Sequence, residues 1–553
     1  MLLDITIRSK AFGPEELYSD LSVSIESGEK VGLVGRNGVG KSTLLDIISG
    51  QDLDYDGDVM IGKNIIMISS RQEHHDHANM VVLEYILGDL PEYKKLKHIL
   101  DTYPETMGDS NKKMHEYSES IERFTTLGYF EIENSIERII DVYQLPNDIL
   151  QRKMDSLSGG QLRLVELTKV QAANAHLALI DEPTNHMDYV AKEDFIKWLQ
   201  AFSGAAFIIT HDRDVLGAVD RIIEIIDGKA QSFSGNYDKY LKINSDRMSG
   251  AVNEYEITKA RIRRTKDDIV RYRRLKERAR NPGTIRRFKG LEEKAVKELS
   301  DLEALDKPSF WIDQGSTQNL STKLQSAYQE HKAKTITLRI KSKTDSERKL
   351  LSIDQLSLGY DSALFTPVTF EIYSGGRIEL KGRNGIGKTT LVSAIINHLQ
   401  GEQIQSSVFS GTIDIDNAVP IGVYSQTFDD KYLDRSLSQA IEAVHREKNI
   451  DINDQKIRGI MSDFLFNPAA DKDKKVRLLS GGQKARLQLI AMLANEPQII
   501  FLDEPTNHLD LPSIEELETA LKQYRGAIVY VSHDSRFVNA IGGTTVELSP
   551  ATQ

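Results

Sequence analysis

Short apolar runs that read as strands alternate along this chain with longer stretches that read as helices. Residues 31–34 and 378–380 are such runs, and each leads through a glycine-rich turn into a helix-like segment, 42–48 and 389–396. Further apolar runs at 177–180, 207–210, 499–502 and 528–532 end in polar residues, as strands do whose last position reaches the edge of a buried sheet. The pattern predicts an α/β fold, built twice. The centre of the chain breaks the alternation. Residues 246–280 read as a polar, arginine-rich helix, interrupted at Asn281-Pro282-Gly283. Leu291, Ala295, Leu299 and Leu302 then recur at helical spacing toward residue 305, which predicts an antiparallel helical hairpin. At 1.5 Å per residue, helices of about 25 to 30 residues reach on the order of 40 Å.

The turns between strand and helix carry the first chemistry. Gly35-Arg36-Asn37-Gly38-Val39-Gly40-Lys41-Ser42 returns as Gly382-Arg383-Asn384-Gly385-Ile386-Gly387-Lys388-Thr389, with Thr43 and Thr390 next on the helices. Both are phosphate-binding loops in the strand-to-helix context the motif requires. Glycines let backbone N–H groups turn toward an anion, the helix N-terminus adds its dipole, and Lys41 or Lys388 supplies a full charge. Ser42 and Thr389 offer hydroxyls to Mg2+. Two matched copies make a two-site nucleotide machine.

A fixed series follows each loop. Ser158-Gly159-Gly160-Gln161 and Ser480-Gly481-Gly482-Gln483 precede the apolar runs that end in Asp181-Glu182 and Asp503-Glu504, and His211 and His533 close the series. Serine to glutamate is 24 residues and glutamate to histidine 29 in both halves, a constant offset of 322. One packed unit kept at the same geometry in both copies explains an unbroken spacing. An aspartate at the end of a buried strand can hold the Mg2+ shell, the role read for Asp181 and Asp503. The next glutamate, Glu182 or Glu504, can polarise water for in-line attack on a terminal phosphoryl group. His211 and His533, at the carboxyl edge of the sheet, can contact that phosphate.

Composition narrows the class. At 553 residues, with 40% hydrophobic and 27% charged residues, the chain exceeds one core and has ordinary globular usage. No segment approaches 18 uninterrupted apolar residues, and Asp4 and Arg8 stand in the first ten positions. Neither a membrane span nor a secretory signal is read, so the expected location is the cytoplasm. The absence of cysteine excludes disulfides, thiolate metal sites and cysteine nucleophiles. Between residues 259 and 289 stand fourteen Lys or Arg against three Asp or Glu, a charge of +11 in a chain whose total is −12. A basic projection from an acidic body is the signature of phosphate contacts with a nucleic acid, and its tip offers Arg280, Arg286, Arg287 and Lys289.

The whole set resembles the ATP-binding cassette ATPases. Ser-Gly-Gly-Gln is similar to their signature loop, Gln72 and Gln426 to their glutamine loop, which reaches the Mg2+ site, and Phe12 and Tyr360 to the aromatic that stacks on adenine. The resemblance implies ATP as the nucleotide and two cassettes paired head to tail. One site then uses Lys41, Ser42, Gln72, Asp181, Glu182 and His211 with Ser480 and Gly482; the other uses Lys388, Thr389, Gln426, Asp503, Glu504 and His533 with Ser158 and Gly160.

Pro183-Thr184-Asn185-His186-Met187-Asp188 and Pro505-Thr506-Asn507-His508-Leu509-Asp510 are similar to the ABC-F subfamily, the soluble twin-cassette proteins that act on ribosomes. Met187 departs from the usual leucine, a volume-conserving change. Ser234-Gly235-Asn236-Tyr237, with Tyr240, resembles the way ABC-F first cassettes end. The organisation this implies is two P-loop cassettes in tandem, 1–243 and 336–553, joined by a helical-hairpin linker at 244–310 and a connecting segment at 311–335. Gln72 to Ser158 spans 86 residues and Gln426 to Ser480 only 54, so the first half carries 32 extra residues. They stand at the place of the ABC-F arm, about 89–122, with Tyr93, Tyr103 and Tyr117.

By resemblance the ATP-bound closed form binds the ribosome, its ribosomal RNA and tRNA. The linker is directed to the peptidyl tRNA and peptidyl-transferase region, in translation or in ribosome protection against antibiotics, and hydrolysis releases the protein. An ATPase subunit of a transporter with separate membrane chains is the alternative, and a DNA-handling cassette ATPase a third class. His74, His75 and His77 stand beside Gln72 without a fourth ligand, so no metal beyond Mg2+ is assigned. Nothing beyond Leu548 reads as a C-terminal extension.

Overall fold

The structure is a computed structural model, which describes residues 1–12, 15–70, 77–106, 108, 110–146, 148–185, 187–303, 336, 348–400, 406–415, 419–425, 429–507 and 509–551. The chain divides into a compact unit of Met1–Tyr237 with Ile336–Gln553 and a second unit, Asp238–Thr335.

Within the first unit the same two-sheet plan occurs twice. The first copy has an antiparallel sheet in the order Glu15–Ile25, Leu3–Phe12, Asp56–Ile61. Beside it lies a six-stranded sheet in the order Met67–Ser69, Leu177–Asp181, Ala205–Ile209, Lys30–Gly35, Arg221–Ile226, Lys229–Ser234, parallel except for its last pair. The second copy repeats this with Val368–Tyr373, Lys349–Gly359, Ser407–Ile415, and with five parallel strands in the order Ile421–Tyr424, Ile499–Asp503, Ala527–Val531, Arg377–Lys381, Thr544–Glu547. Each antiparallel sheet packs on the helix that follows the phosphate loop. Ile5 and Val23 share a core with Leu33, Leu45, Ile48, Leu179 and Phe207, and Ile353 and Phe370 share one with Leu380, Leu391, Phe501 and Val529.

Strand order explains why distant motifs meet. Leu33 and Asp181 both pair with Ile209, as Glu379 pairs with Tyr530 and Asp503 with Val531. Parallel strands in register end at one edge, so the phosphate loop, the carboxylate pair and the histidine leave the sheet side by side.

The extra residues of the first half form two helices, Tyr93–Thr106 and Asn111–Thr126. Arg123 is bonded to Glu92 at 2.6 Å, Tyr103 Oη donates to Glu116 at 3.0 Å, and the rings of Tyr93, Phe124 and Tyr129 pack edge to face or tilted. The insertion is a small hairpin of its own, set four residues later than the 89–122 read from spacing. At its root Lys169, fully buried, bonds Glu166 at 2.9 Å and Asp89 at 3.1 Å, and so ties the insertion to the helix Gly159–Ala172.

The second unit contains the long helix Tyr237–Arg278, which begins in the first unit, and the helix Pro282–Glu303. The first helix starts nine residues before the expected 246, because nothing after Gly235-Asn236 stops it. Its 42 residues span about 63 Å and the second helix's 22 about 33 Å. Pro282 sits at the first helical position, where its missing N–H is harmless, and the Asn281 side chain accepts from Gly283 N at 2.8 Å. Ion pairs from Arg273 (2.7 Å) and Lys276 (2.5 Å) to Glu292, and from Arg261 to Glu298, set the two helices antiparallel. Ile269 and Ala295 are buried, Leu291, Leu299 and Leu302 half-buried, while Arg280, Arg286, Arg287 and Lys289 are exposed at the turn. Residue 305 lies outside the described residues. Among the described residues no helix is long and apolar enough to cross a membrane.

Candidate functional site

The strand Lys30–Gly35 passes into the helix Lys41–Ser49, and Arg377–Lys381 into Lys388–Gln400. The loops between them need glycine. Gly40 and Gly387 have φ of 96° and 101°, and a Cβ on Gly40 would lie 2.6 Å from Tyr18 Oη and Leu17 Cδ2. A Cβ on Gly38 or Gly385 would meet nothing within 4 Å, so this side of each loop is open for an anion. Lys41 Nζ donates to the carbonyls of Gly35 (2.9 Å) and Arg36 (3.1 Å), and Lys388 Nζ to those of Gly382 (2.6 Å) and Arg383 (3.0 Å). Both lysines are buried, and burial lowers their pKa. Each ammonium is thus held in its own loop, with carboxylates acting on it from a distance: Glu182, Asp510 and Asp181 on Lys41, and Glu504, Asp188 and Asp503 on Lys388. Asn37 and Asn384 stand in the loops, and Ser42, Thr43, Thr389 and Thr390 begin the helices.

Asp181 and Asp503 end their strands buried, and burial raises both carboxyls. Ser42 is hydrogen-bonded to Asp181, and Thr389 Oγ1 donates to Asp503 Oδ2 at 2.8 Å. One carboxylate and one hydroxyl at each site are hard oxygen donors, the small set that suits Mg2+, whose other positions go to water and phosphate oxygens. Among the described residues no group of three His, Cys, Asp or Glu could hold a metal. Glu182 and Glu504 follow with left-handed φ of 44° and 50°, a strained conformation for a residue with a Cβ. Their N–H groups donate to Ile209 O (2.8 Å) and Val531 O (3.0 Å), and the carboxylates lie against the histidines: Glu182 Oε1 is 3.7 Å from His211 Nε2, Glu504 Oε1 3.3 Å from His533 Nε2. Burial, then the neighbouring aspartate, pushes both glutamates up to about 8. Burial, then Lys41 or Lys388, lowers both histidines to about 3, so the imidazoles are neutral at pH 7.

Ser158 and Ser480 cap the helices Gly159–Ala172 and Gly481–Leu493. Each serine oxygen accepts from the backbone of Gln161 or Gln483 at 3.3 Å, and each glutamine oxygen accepts from the serine N–H, at 3.0 and 3.1 Å. The capping box leaves the glycine N–H groups in the first turn, at the positive end of the helix dipole.

The two copies face each other. A cleft between them is lined by Arg36 and Asn37 of the first phosphate loop and by Gly482, Arg486 and Asp510 of the second copy. Asp510 Oδ2 accepts from Asn37 N at 3.4 Å, and Asp188 Oδ2 accepts from Asn384 N at 3.1 Å and Arg383 Nε at 3.3 Å. Each aspartate also caps its own helix, through Ala191 N (2.9 Å) and Ser513 N (3.2 Å). Gly482 and Asp510 thus stand at the first loop, and Asp188 at the second. Glu182, His211, Glu504 and His533 line one cavity between the copies.

Tyr360 stands exposed just past the strand Lys349–Gly359. Phe12 ends the strand Leu3–Phe12, and its side chain, like Gln72, His74, His75 and Gln426, lies outside the described residues. His77 leans on the Tyr85 ring, 5.2 Å between centroids.

Sequence reasoning missed the charges buried between the copies. Arg213 donates to Asp534 at 2.8 Å and to Glu518, while Lys192 bonds Asp214 (2.6 Å), Asp212 (3.3 Å) and the carbonyl of His533. The signal available was a break in the repeat: the offset of 322 pairs Lys192 with Ile514, Arg213 with Ser535 and Ile196 with Glu518.

A family profile described as "ABC transporter" matches residues 18–185 and 365–507, and a second profile of that description matches 223–310. The putative ATP-binding protein YdiF of Bacillus subtilis (strain 168) is 29% identical over 99% of this chain and 80% of its own. The ATP-binding protein Uup of Escherichia coli (strain K12) is 26% identical over 96% and 77%, and ABC transporter F family member 2 of Arabidopsis thaliana 28% over 98% and 75%. Among solved structures, the archaeal ribosome recycling factor aABCE1, in complex with the ribosomal stalk protein aP1, superposes with a TM-score of 0.57 at 18% identity, covering 98% of this chain and 87% of that one. The RNase-L inhibitor does so with a TM-score of 0.55 at 17% identity, over 99% and 88%.

Proposed function

The chain belongs to the ABC transporter family, in its ABC-F branch, and is an ATPase; on that premise we propose that it acts on the ribosome, binding there with both cassettes closed on ATP and leaving when ATP is hydrolysed. The observation that carries this reading is the exposed basic turn of the hairpin, Arg280, Arg286, Arg287 and Lys289, in the stretch of sequence that links the two cassettes. RNA phosphates are the partner such a turn suits. The fold shared with an archaeal ribosome recycling factor agrees with that partner.

The residues divide the work as follows. The loops 35–42 and 382–389 hold the phosphates of ATP through their N–H groups, with Lys41 and Lys388 released from their own carbonyls to the incoming anion. Asp181 with Ser42, and Asp503 with Thr389, would hold Mg2+, joined by Gln72 and Gln426; the ion supplies charge neutralisation and alignment of the phosphates. Glu182 and Glu504 orient the attacking water, and the neutral His211 and His533 donate to the terminal phosphate. Ser480 with Gly481, Gly482 and Gln483, and Ser158 with Gly159, Gly160 and Gln161, present capped helix N-termini to the opposite ATP. Phe12 and Tyr360 stack on adenine. Two ATP molecules bridge the cassettes, and loss of the terminal phosphates removes the bridges.

On the ribosome the hairpin points to the peptidyl tRNA and the peptidyl-transferase region, and the helices Tyr93–Thr106 and Asn111–Thr126 make a second contact. The protein works in the cytoplasm, in translation or in protecting ribosomes from antibiotics. The test is charge reversal at Arg280, Arg286, Arg287 and Lys289 in the Glu182→Gln, Glu504→Gln background. Four lost phosphate contacts flatten the salt dependence of ribosome binding and weaken it by roughly a hundredfold or more at moderate salt. Unchanged affinity and salt slope would sink the role given to the hairpin.

A further inference from the structure

The two nucleotide sites differ in how the opposite cassette touches their histidines. Lys192, on the helix Tyr189–Ala201 of the first cassette, is 6% exposed and donates across the interface to the backbone carbonyl of His533. Its ammonium is fixed there by Asp214 at 2.6 Å and Asp212 at 3.3 Å, both of its own cassette. With three donors and three acceptors the ammonium has a single geometry. At the repeat position the second cassette has Ile514, which lines the central cavity with His211 and offers no donor. The neighbours follow the same asymmetry, since Arg213 and Asp214 of the first cassette correspond to Ser535 and Arg536 of the second. The histidine that the lysine touches lies 3.3 Å from its glutamate, against 3.7 Å for the other.

We propose that Lys192 is a positioning residue for one ATP site alone: by holding the His533 carbonyl from the opposite cassette, it sets the imidazole against Glu504 only when the cassettes are closed. Hydrolysis at the site of Lys388, Glu504 and His533 is thereby gated by closure through a direct bond. The site of Lys41, Glu182 and His211 lacks that bond and turns over under looser control. The bond runs through a backbone carbonyl, so it fixes where the histidine sits, while the ammonium's charge also favours the neutral imidazole, and it is broken whenever the helix Tyr189–Ala201 withdraws. The inference rests on Glu182 and Glu504 each serving one site.

The experiment isolates the sites. Glu182→Gln leaves only the second site able to turn over, and Glu504→Gln only the first; Lys192→Met is placed in each background and kcat and KM for ATP are measured. In the Glu182→Gln protein Lys192→Met lowers kcat about tenfold to a hundredfold with KM for ATP unchanged, the signature of a lost transition-state alignment. In the Glu504→Gln protein the change stays within about twofold. Lys192→Arg, which keeps donors and charge, restores most of the loss, and equal melting temperatures show that the fold is intact. Equal losses in both backgrounds overturn the proposal, because the lysine would then only hold the interface together. No loss in either overturns it too, as does silence of both sites with either glutamine, which leaves no separately gated site. Turnover that survives in the Glu182→Gln, Glu504→Gln protein points to a different failure, that of the roles given to the glutamates.

Discussion

Replacing Arg213 by methionine removes the cation that Asp534 and Glu518 share across the cassette interface. Arg213 is 4% exposed and both carboxylates 7%, and the guanidinium donates to Asp534 at 2.8 Å and to Glu518. Leaving such carboxylates buried without their cation costs about 3 to 5 kcal/mol. With the cassettes apart, water reaches all three groups, so the cost falls on the closed form. At the lower figure the closed-to-open ratio drops by about a hundredfold. Because two ATP molecules drive closure, the ATP concentration at its midpoint rises by the square root of that, about tenfold. Fluorescence transfer between labels on the two cassettes of the Glu182→Gln, Glu504→Gln protein, titrated with ATP, reads the midpoint directly. Adding Asp534→Asn and Glu518→Gln to Arg213→Met brings it most of the way back, since the stranded charges are then gone. Closure of Arg213→Met at the original ATP concentration would refute the reasoning, for it would mean that these charges stay hydrated in the closed form.

Other outcomes follow from the same geometry. Ser480→Asp keeps a cap for the helix Gly481–Leu493 but sets a carboxylate toward the phosphate loop of Lys41, so turnover in the Glu504→Gln background falls by roughly a hundredfold while the melting temperature holds; a serine that only caps would leave turnover intact. Gly40→Ala strains a backbone at φ 96° and drives a methyl into Tyr18 and Leu17, and weakens ATP binding by about tenfold or more in a fluorescent-nucleotide titration, against little change at a tolerant loop. Burial lowers Lys448 to about 8 from 10.5, so between those values the unfolded chain holds a proton that the folded chain does not, and stability rises with pH across that window. In Lys448→Met denaturant melts from pH 8 to 10.5 lose that rise, and an identical slope would show that the amine is solvated.

Much of the site could be read from the chain because its chemistry is carried by repeated local words. A glycine-rich turn, a strand end with Asp-Glu and a strand end with His each mark a backbone location by themselves, and parallel register does the rest by ending the strands at one edge. The serine and glutamine of the signature were equally legible, although their first duty, a capping box, is local helix chemistry. What escaped the sequence depends on partners far apart in the chain. Arg213 and Glu518, or Lys192 and the carbonyl of His533, meet only when the cassettes pack, and Arg213, Glu518 and Lys192 fall where the repeat is broken, so no shared spacing marks them. The left-handed backbone of Glu182 and Glu504 was hidden for another reason: their N–H groups are drawn to a neighbouring strand, which imposes a conformation that glutamate does not favour by itself. The early start of the helix Tyr237–Arg278 was missed because Tyr237 and Tyr240 read as the end of the first cassette, whereas both are buried and Tyr237 packs beside Arg536.

The central claim, that closure on ATP loads this ATPase onto ribosomes, is tested most directly by sedimenting the Glu182→Gln, Glu504→Gln protein with 70S ribosomes with and without ATP. The account predicts that the protein pellets with ribosomes when ATP is present and stays in the supernatant without it; a protein that remains free in both cases, or pellets equally in both, would contradict it.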